Sequence, residues 1–145
     1  MNQELKASYV IAVADQLSFV SAFLGGVSAT ILFSVIIFSS EKKSVSLTIA
    51  SSALAACSLL VAVIGAWRLS IALHPDLPFK ADPNKIEMLW NSMIGGYGIG
   101  VCSLICSIGL SGWIRSPRSG LITSVIAVGA ILFFMSTSIY SNPLP

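Results

Sequence analysis

Between Val45 and Trp67 the sequence reads VSLTIASSALAACSLLVAVIGAW, an unbroken run without one charged side chain. As an α-helix rising about 1.5 Å per residue it reaches roughly 35 Å, enough to cross a hydrocarbon core of about 30 Å. A membrane β-strand would be shorter and would alternate apolar with polar residues, and irregular backbone is not tolerated against lipid. The stretch therefore predicts a transmembrane helix. It continues past Arg68 to Leu73, where His74-Pro75 stops it, because proline cannot carry the hydrogen-bond ladder forward.

Working outward, three similar runs appear, and together the predicted spans cover about 16–38, 45–73, 86–114 and 121–140. Ser39-Ser40-Glu41-Lys42-Lys43 separates the first two, and Arg115-Ser116-Pro117-Arg118 makes a tight basic turn between the last two. The segment from Asp76 to Lys85 reads as a connecting loop. Short connections force antiparallel neighbours. The expected fold class is all-α: a four-helix transmembrane bundle of two antiparallel hairpins, one domain over residues 1–145, oligomeric because so small a bundle has little interior of its own. Ala12-Val13-Ala14 looks like a signal cleavage site, but the apolar stretch before it is short and Glu4 offsets Lys6, so the N-terminus is expected to be retained.

Composition points the same way. Of 145 residues, 55% are hydrophobic and only 10% charged, where soluble domains carry roughly 25% charged residues. Lipid must be part of the solvent, and a multi-pass integral membrane location follows. The net charge of +2 is too small and scattered for a nucleic-acid footprint, so nucleic acid is not an expected partner. Cys57, Cys102 and Cys106 lie inside apolar runs and make a poor disulfide framework. Cys102 and Cys106 share a helix face, but His74 is the sole histidine and sits in a loop, so the thiols read as small hydrophobes and no metal or cofactor is expected.

Orientation is weakly determined. Lys42, Lys43, Arg115 and Arg118 lie on one side and Lys6, Lys80 and Lys85 on the other, with Arg68 able to join the second group. The basic-residue rule then leans slightly to termini outside. Whichever way the chain points, the N-terminus, the second connection and the C-terminus share a side. Asp15, Arg68 and Glu87 therefore gather near one interface, where Asp15 or Glu87 can pair with Arg68, or Arg68 can snorkel to the headgroups beside Trp67.

Small residues recur every fourth position: Ser21-Gly25-Ala29 and Ala22-Gly26-Thr30 in the first helix, Gly96-Gly100 and Ser103-Ser107-Ser111 in the third. Lipid supplies little hydrophobic drive between helices, so close backbone approach across such residues supplies much of the packing. Gly26, Ala29, Gly96, Gly100, Ser103 and Ser107 are the expected helix-packing positions. Gly96-Tyr97-Gly98 matches the potassium-filter tripeptide, yet it stands inside a continuous span without the preceding Thr-Val. No catalytic constellation appears, and an enzyme is not expected.

Ile86-Glu87-Met88-Leu89-Trp90 opens the third span, Trp113-Ile114-Arg115-Ser116-Pro117 closes it, and Ala56-Cys57 precedes Leu60-Val61-Ala62-Val63 in the second. This resembles the four-helix Orai family of calcium channels, whose corresponding helices start Ile-Glu-Leu-x-Trp and end Trp-Val-Lys-x-x-Pro. The resemblance implies termini inside, against the charge count, and a first helix lining a pore through Leu24, Val27 and Thr30. Thr30 then stands where the family has its acidic filter and Asp15 where it has a basic residue, so calcium selectivity is not implied.

Two functions follow as expectations. The first is a homo-oligomeric pore or channel-like assembly, an ion channel in transport, with helix 1 nearest the axis through Ser21, Gly25, Ser28 and Thr30 and with Asp15 near one mouth. The second is a non-conducting accessory or assembly subunit that binds another membrane protein. Solute carriage by the monomer lacks a midplane charge or a proline-broken helix.

Overall fold

The computed structural model describes residues 2–38, 43–74 and 82–140. The first connecting loop (39–42), most of the second (75–81) and the tail (141–145), with the prolines and lysines placed there by sequence, lie outside the described residues. The chain forms α1 (Asn2–Phe38), α2 (Lys43–Ala72), α3 (Pro83–Arg115) and α4 (Pro117–Tyr140), with no strand among the described residues. Each contains a stretch long and apolar enough to cross a membrane: Ser8–Ile37, Ser44–Ala72, Asn84–Ile114 and Pro117–Ser136.

Helix ends follow local chemistry rather than the limits of apolarity. α1 begins at Asn2 instead of near Gln16, because the segment before the apolar run holds no glycine or proline to stop it. α3 begins at Pro83 rather than near Ile86: Asp82 is extended, its side chain accepts from the Asn84 N–H at 3.1 Å, and Pro83 follows in the first turn. Only Ser116 separates α3 from α4, so the expected four-residue turn shrinks to one extended residue, φ −160° and ψ 154°. Proline disfavours helical backbone in the residue before it and is itself preset for a helix start. Ser116 Oγ then accepts from the Ser119 N–H at 3.2 Å and caps α4.

The helices pack in chain order. α1 lies on α2, α2 on α3 and α3 on α4; α1 only grazes α3, and α4 reaches neither α1 nor α2. Neighbours run in opposite senses, since Asp15 meets Ser70 while Gly25 meets Leu59, and Met93 meets Gly65 while Gly100 meets Leu59. The result is a row with α2 and α3 inside and α1 and α4 on the flanks, the flanking spans burying much less than the inner ones. Ala14, Ala66, Leu69 and Met93 form the buried apolar core where α1, α2 and α3 converge, sheathed by Val10, Leu17, Leu73, Ile86, Leu89 and Trp90.

Close approach sets the α2–α3 seam. A Cβ on Gly96 would stand 2.9 Å from the Ser58 carbonyl oxygen and 3.1 Å from Ala62 N, and one on Gly100 would stand 2.6 Å from Leu59 Cγ. Near the other end of the seam the fully buried Ser52 and Ser107 hydroxyls hydrogen-bond each other. Interhelical bonds of this kind in membranes contribute about 0.6 kcal/mol on average and at most about 1.7 kcal/mol. Each serine, left alone, can return its hydroxyl to its own helix. Ser52→Ala is therefore expected to cost at most about 1 kcal/mol, read from reversible unfolding in mixed micelles, and to show no further loss when combined with Ser107→Ala.

Candidate functional site

The candidate pore face of α1 divides in two. Ser21 and Ser28 are fully buried and Gly25 is half-buried, a Cβ there lying 3.7 Å from Leu59 Cβ, so this stripe is turned into the chain and onto α2. While α2 covers them, these three do not face an axis outside the chain. The physical reason is close packing: small side chains let α1 settle onto Leu59. Thr30, the fourth candidate, lies instead on the exposed face, where it donates to the Gly26 carbonyl at 2.9 Å. Ser34 repeats the pattern, donating to the Thr30 carbonyl at 2.8 Å. Their hydroxyls are thus engaged by the helix itself, and the open face reads as apolar: Phe19, Ala22, Phe23, Gly26 and Phe33 are all exposed.

Ser21 Oγ and Ser28 Oγ are buried without a hydrogen-bond partner among the described residues. An unsatisfied buried hydroxyl costs about 1–3 kcal/mol, part of which alanine recovers at nearly the same volume. Ser21→Ala and Ser28→Ala are accordingly expected to be neutral or to stabilise by up to about 1 kcal/mol in the same unfolding measurement.

The remaining packing candidates also separate by face. Gly96, Gly100 and Ser107 meet α2, with Ser103 half-buried beside them; Ala29 is half-buried, and Gly26 is exposed, with nothing within 4 Å of where a Cβ would stand. Tyr97, between the two glycines of the filter-like tripeptide, sits in continuous helix with its ring 6.2 Å from that of Phe134 on α4.

The charged candidates are sequence neighbours of the core: Asp15 follows Ala14, Arg68 precedes Leu69 and Glu87 follows Ile86. Asp15, Arg68 and Glu87 are all exposed, and among the described residues no ion pair joins them. Asp15 Oδ1 instead accepts a hydrogen bond from Ser70 Oγ at 3.0 Å, tying α1 to α2. Sequence reasoning misses this bridge because opposite charge, its guide to partners, is not what makes it. The usable signal is Ser70, one polar residue two places beyond Arg68 on the helix that α1 packs against. Arg68 shares the outer face of α2 with Ile64, Trp67 and Ile71, the position from which a long side chain reaches headgroups.

Among the described residues, one shallow open groove runs along Asp15, Gln16, Phe19 and Val20 and another along Trp113, Leu121, Ser124, Val125 and Val128. In the second, Trp113 Nε1 donates to Ser124 Oγ at 2.9 Å, pinning the indole against α4. No cluster of three or more metal-ligating side chains occurs among the described residues, and Cys57, Cys102 and Cys106 are free thiols. Comparison with family models, with characterised proteins and with solved structures gives no match.

Proposed function

We propose that the chain is a multi-pass integral membrane protein, its helices inserted as two antiparallel hairpins, that acts as a non-conducting assembly subunit through its outer helix faces. One observation carries this: the small polar stripe of α1 is covered by α2, and the face left open is mainly apolar and aromatic, with Asp15 at one end and the hydroxyls of Thr30 and Ser34 bonded back to their own helix. Such a face suits helix packing in lipid and not an aqueous lining. In lipid an exposed apolar face alone needs no cover, so the placement of the polar groups decides, not hydrophobicity.

A pore is the second reading, favoured by Thr30 and Asp15, which share the open face of α1, and by the Orai resemblance. The two part company in one experiment. Protein carrying Thr30→Cys together with Cys57→Ala, Cys102→Ala and Cys106→Ala is reconstituted in liposomes, its flux of monovalent and divalent ions measured, and the single thiol at position 30 probed with a water-soluble, charged alkylating reagent. The assembly reading expects neither flux nor labelling. Both together establish the pore.

A further inference from the structure

Two exposed faces of this chain match each other in depth and charge. On α1 the stripe Asp15, Phe19, Ala22, Gly26 and Phe33 recurs at helical spacing and is exposed throughout, with a notch at its middle: nothing lies within 4 Å of a Cβ on Gly26. On α2 Leu54, Cys57, Val61, Ile64 and Arg68 recur at alternating three- and four-residue steps and are likewise all exposed, so they form one ridge. Residues at this spacing stack along a single helix face. One face is indented and ends in an anion; the other is raised and ends in a cation.

The intrachain register aligns them. Asp15 beside Ser70 and Gly25 beside Leu59 mean that each step forward in α1 is a step back in α2. Ala22 and Gly26 then stand near the depth of Val61 and Cys57, and Asp15 stands within about 3 Å of the depth of Arg68, two residues at 1.5 Å each. Copies inserted in the same orientation keep these depths, so the match holds between chains. Ser70 occupies only Oδ1 of Asp15, and a carboxylate accepts at both oxygens.

We infer that a second copy of this chain covers the open face of α1, seating the Leu54–Val61–Ile64 ridge of its α2 in the Ala22–Gly26 notch and pairing its Arg68 with Asp15. The inference rests on the lateral-association reading above. A second copy is the occupant because this one chain carries both halves of the fit and its two charges have no ion-pair partner among the described residues. Different surfaces meet, so the contact is head-to-tail and extends to a closed ring or a row.

The test uses the native Cys57 thiol. In full-length protein with Cys102→Ala and Cys106→Ala, Gly26→Cys is added, and membranes are treated with copper phenanthroline, dissolved oxygen taking the electrons as two thiols become a disulfide. The expected result is a ladder of two, three and more linked chains, reversed by reduction and lost when Cys57→Ala is introduced. Linked dimers that persist with Cys57→Ala would mean that α1 meets α1, and overturn the inference, as would an absence of links in protein that is oligomeric by size. Asp15→Lys and Arg68→Glu, each alone, are expected to weaken association in lipid at least tenfold by energy transfer between labelled copies, and the double exchange to restore it. Unchanged association in both single variants also overturns it. Ion flux in the same linked sample would sink the non-conducting reading and leave the interface standing, so the two fail separately.

Discussion

Gly96→Val is expected to separate α3 from α2 and leave little folded protein. Already the first carbon of the new side chain would lie 2.9 Å from the Ser58 carbonyl oxygen and 3.1 Å from Ala62 N, both backbone atoms of a continuous helix. A flexible side chain can turn aside; a helix backbone must move as a unit. Overpacking by a methylene costs about 1–3 kcal/mol where side chains yield, so Gly96→Ala belongs at the top of that range and Gly96→Val beyond about 3 kcal/mol. Helix propensity acts in the opposite direction, since replacing glycine by alanine in a helix gains only about 1 kcal/mol. The clash wins. The neighbouring glycine supplies the control: nothing lies within 4 Å of a Cβ on Gly95, so Gly95→Ala is expected to gain about 0.5–1 kcal/mol from propensity alone. Opposite signs at adjacent positions, read from unfolding in mixed micelles, distinguish contact geometry from any general intolerance of α3. Equal effects at both positions would refute the close seam.

Much of the architecture is legible in the sequence because lipid imposes a simple rule. Uncharged runs long enough to cross a bilayer, punctuated at His74-Pro75 and Ser116-Pro117, locate four helices. The predicted first span starts at Gln16, just after the charge of Asp15, whereas the apolar stretch begins at Ser8 and the helix at Asn2, since one carboxylate does not break a helix.

Which way each face turns is far less legible. In a soluble helix the polar face declares itself; in these helices both faces are apolar and periodicity loses its meaning. Ser21-Gly25 and Ala22-Gly26 are adjacent stripes of nearly identical composition, and the structure buries the first and leaves the second open. The residue that decides between them is Leu59, on another helix, whose side chain sits against Gly25 on one side and Gly100 on the other. Sequence spacing within α1 carries no trace of that choice. The charged end is partly legible, because equal chain distances from the far loops bring Asp15, Arg68 and Glu87 to one level. Their pairing is not, since within the chain Asp15 takes the Ser70 hydroxyl, and not a charge, as the partner of its Oδ1.

Leu59→Ala is the second large effect expected, and lipid sets its size. Leu59 is fully buried, and its side chain fills the space between Gly25 on α1 and Gly100 on α3. In soluble cores a buried Leu→Ala change costs about 2–5 kcal/mol, a sum of lost transfer from water and a cavity left behind. Within a bilayer the unfolded helix already holds its leucine in hydrocarbon, so the transfer part, about 2.4 kcal/mol for three carbons, drops out. What remains is the cavity and the lost contacts, an expected cost of up to about 2.5 kcal/mol. Geometry also predicts the remedy. Gly100→Ala alone is expected to destabilise, because its methyl would meet Leu59 Cγ at 2.6 Å. Leu59→Ala removes that contact and the one with Cδ2 at 2.9 Å, leaving only the tight approach to Leu59 N at 3.2 Å, so the methyl finds most of its space vacated. The double variant should therefore be less destabilised than the two single losses added together, a coupling of about 1 kcal/mol or more between residues in contact. Strict additivity would place Leu59 and Gly100 apart, and would leave α1 without a physical reason to turn its serines inward.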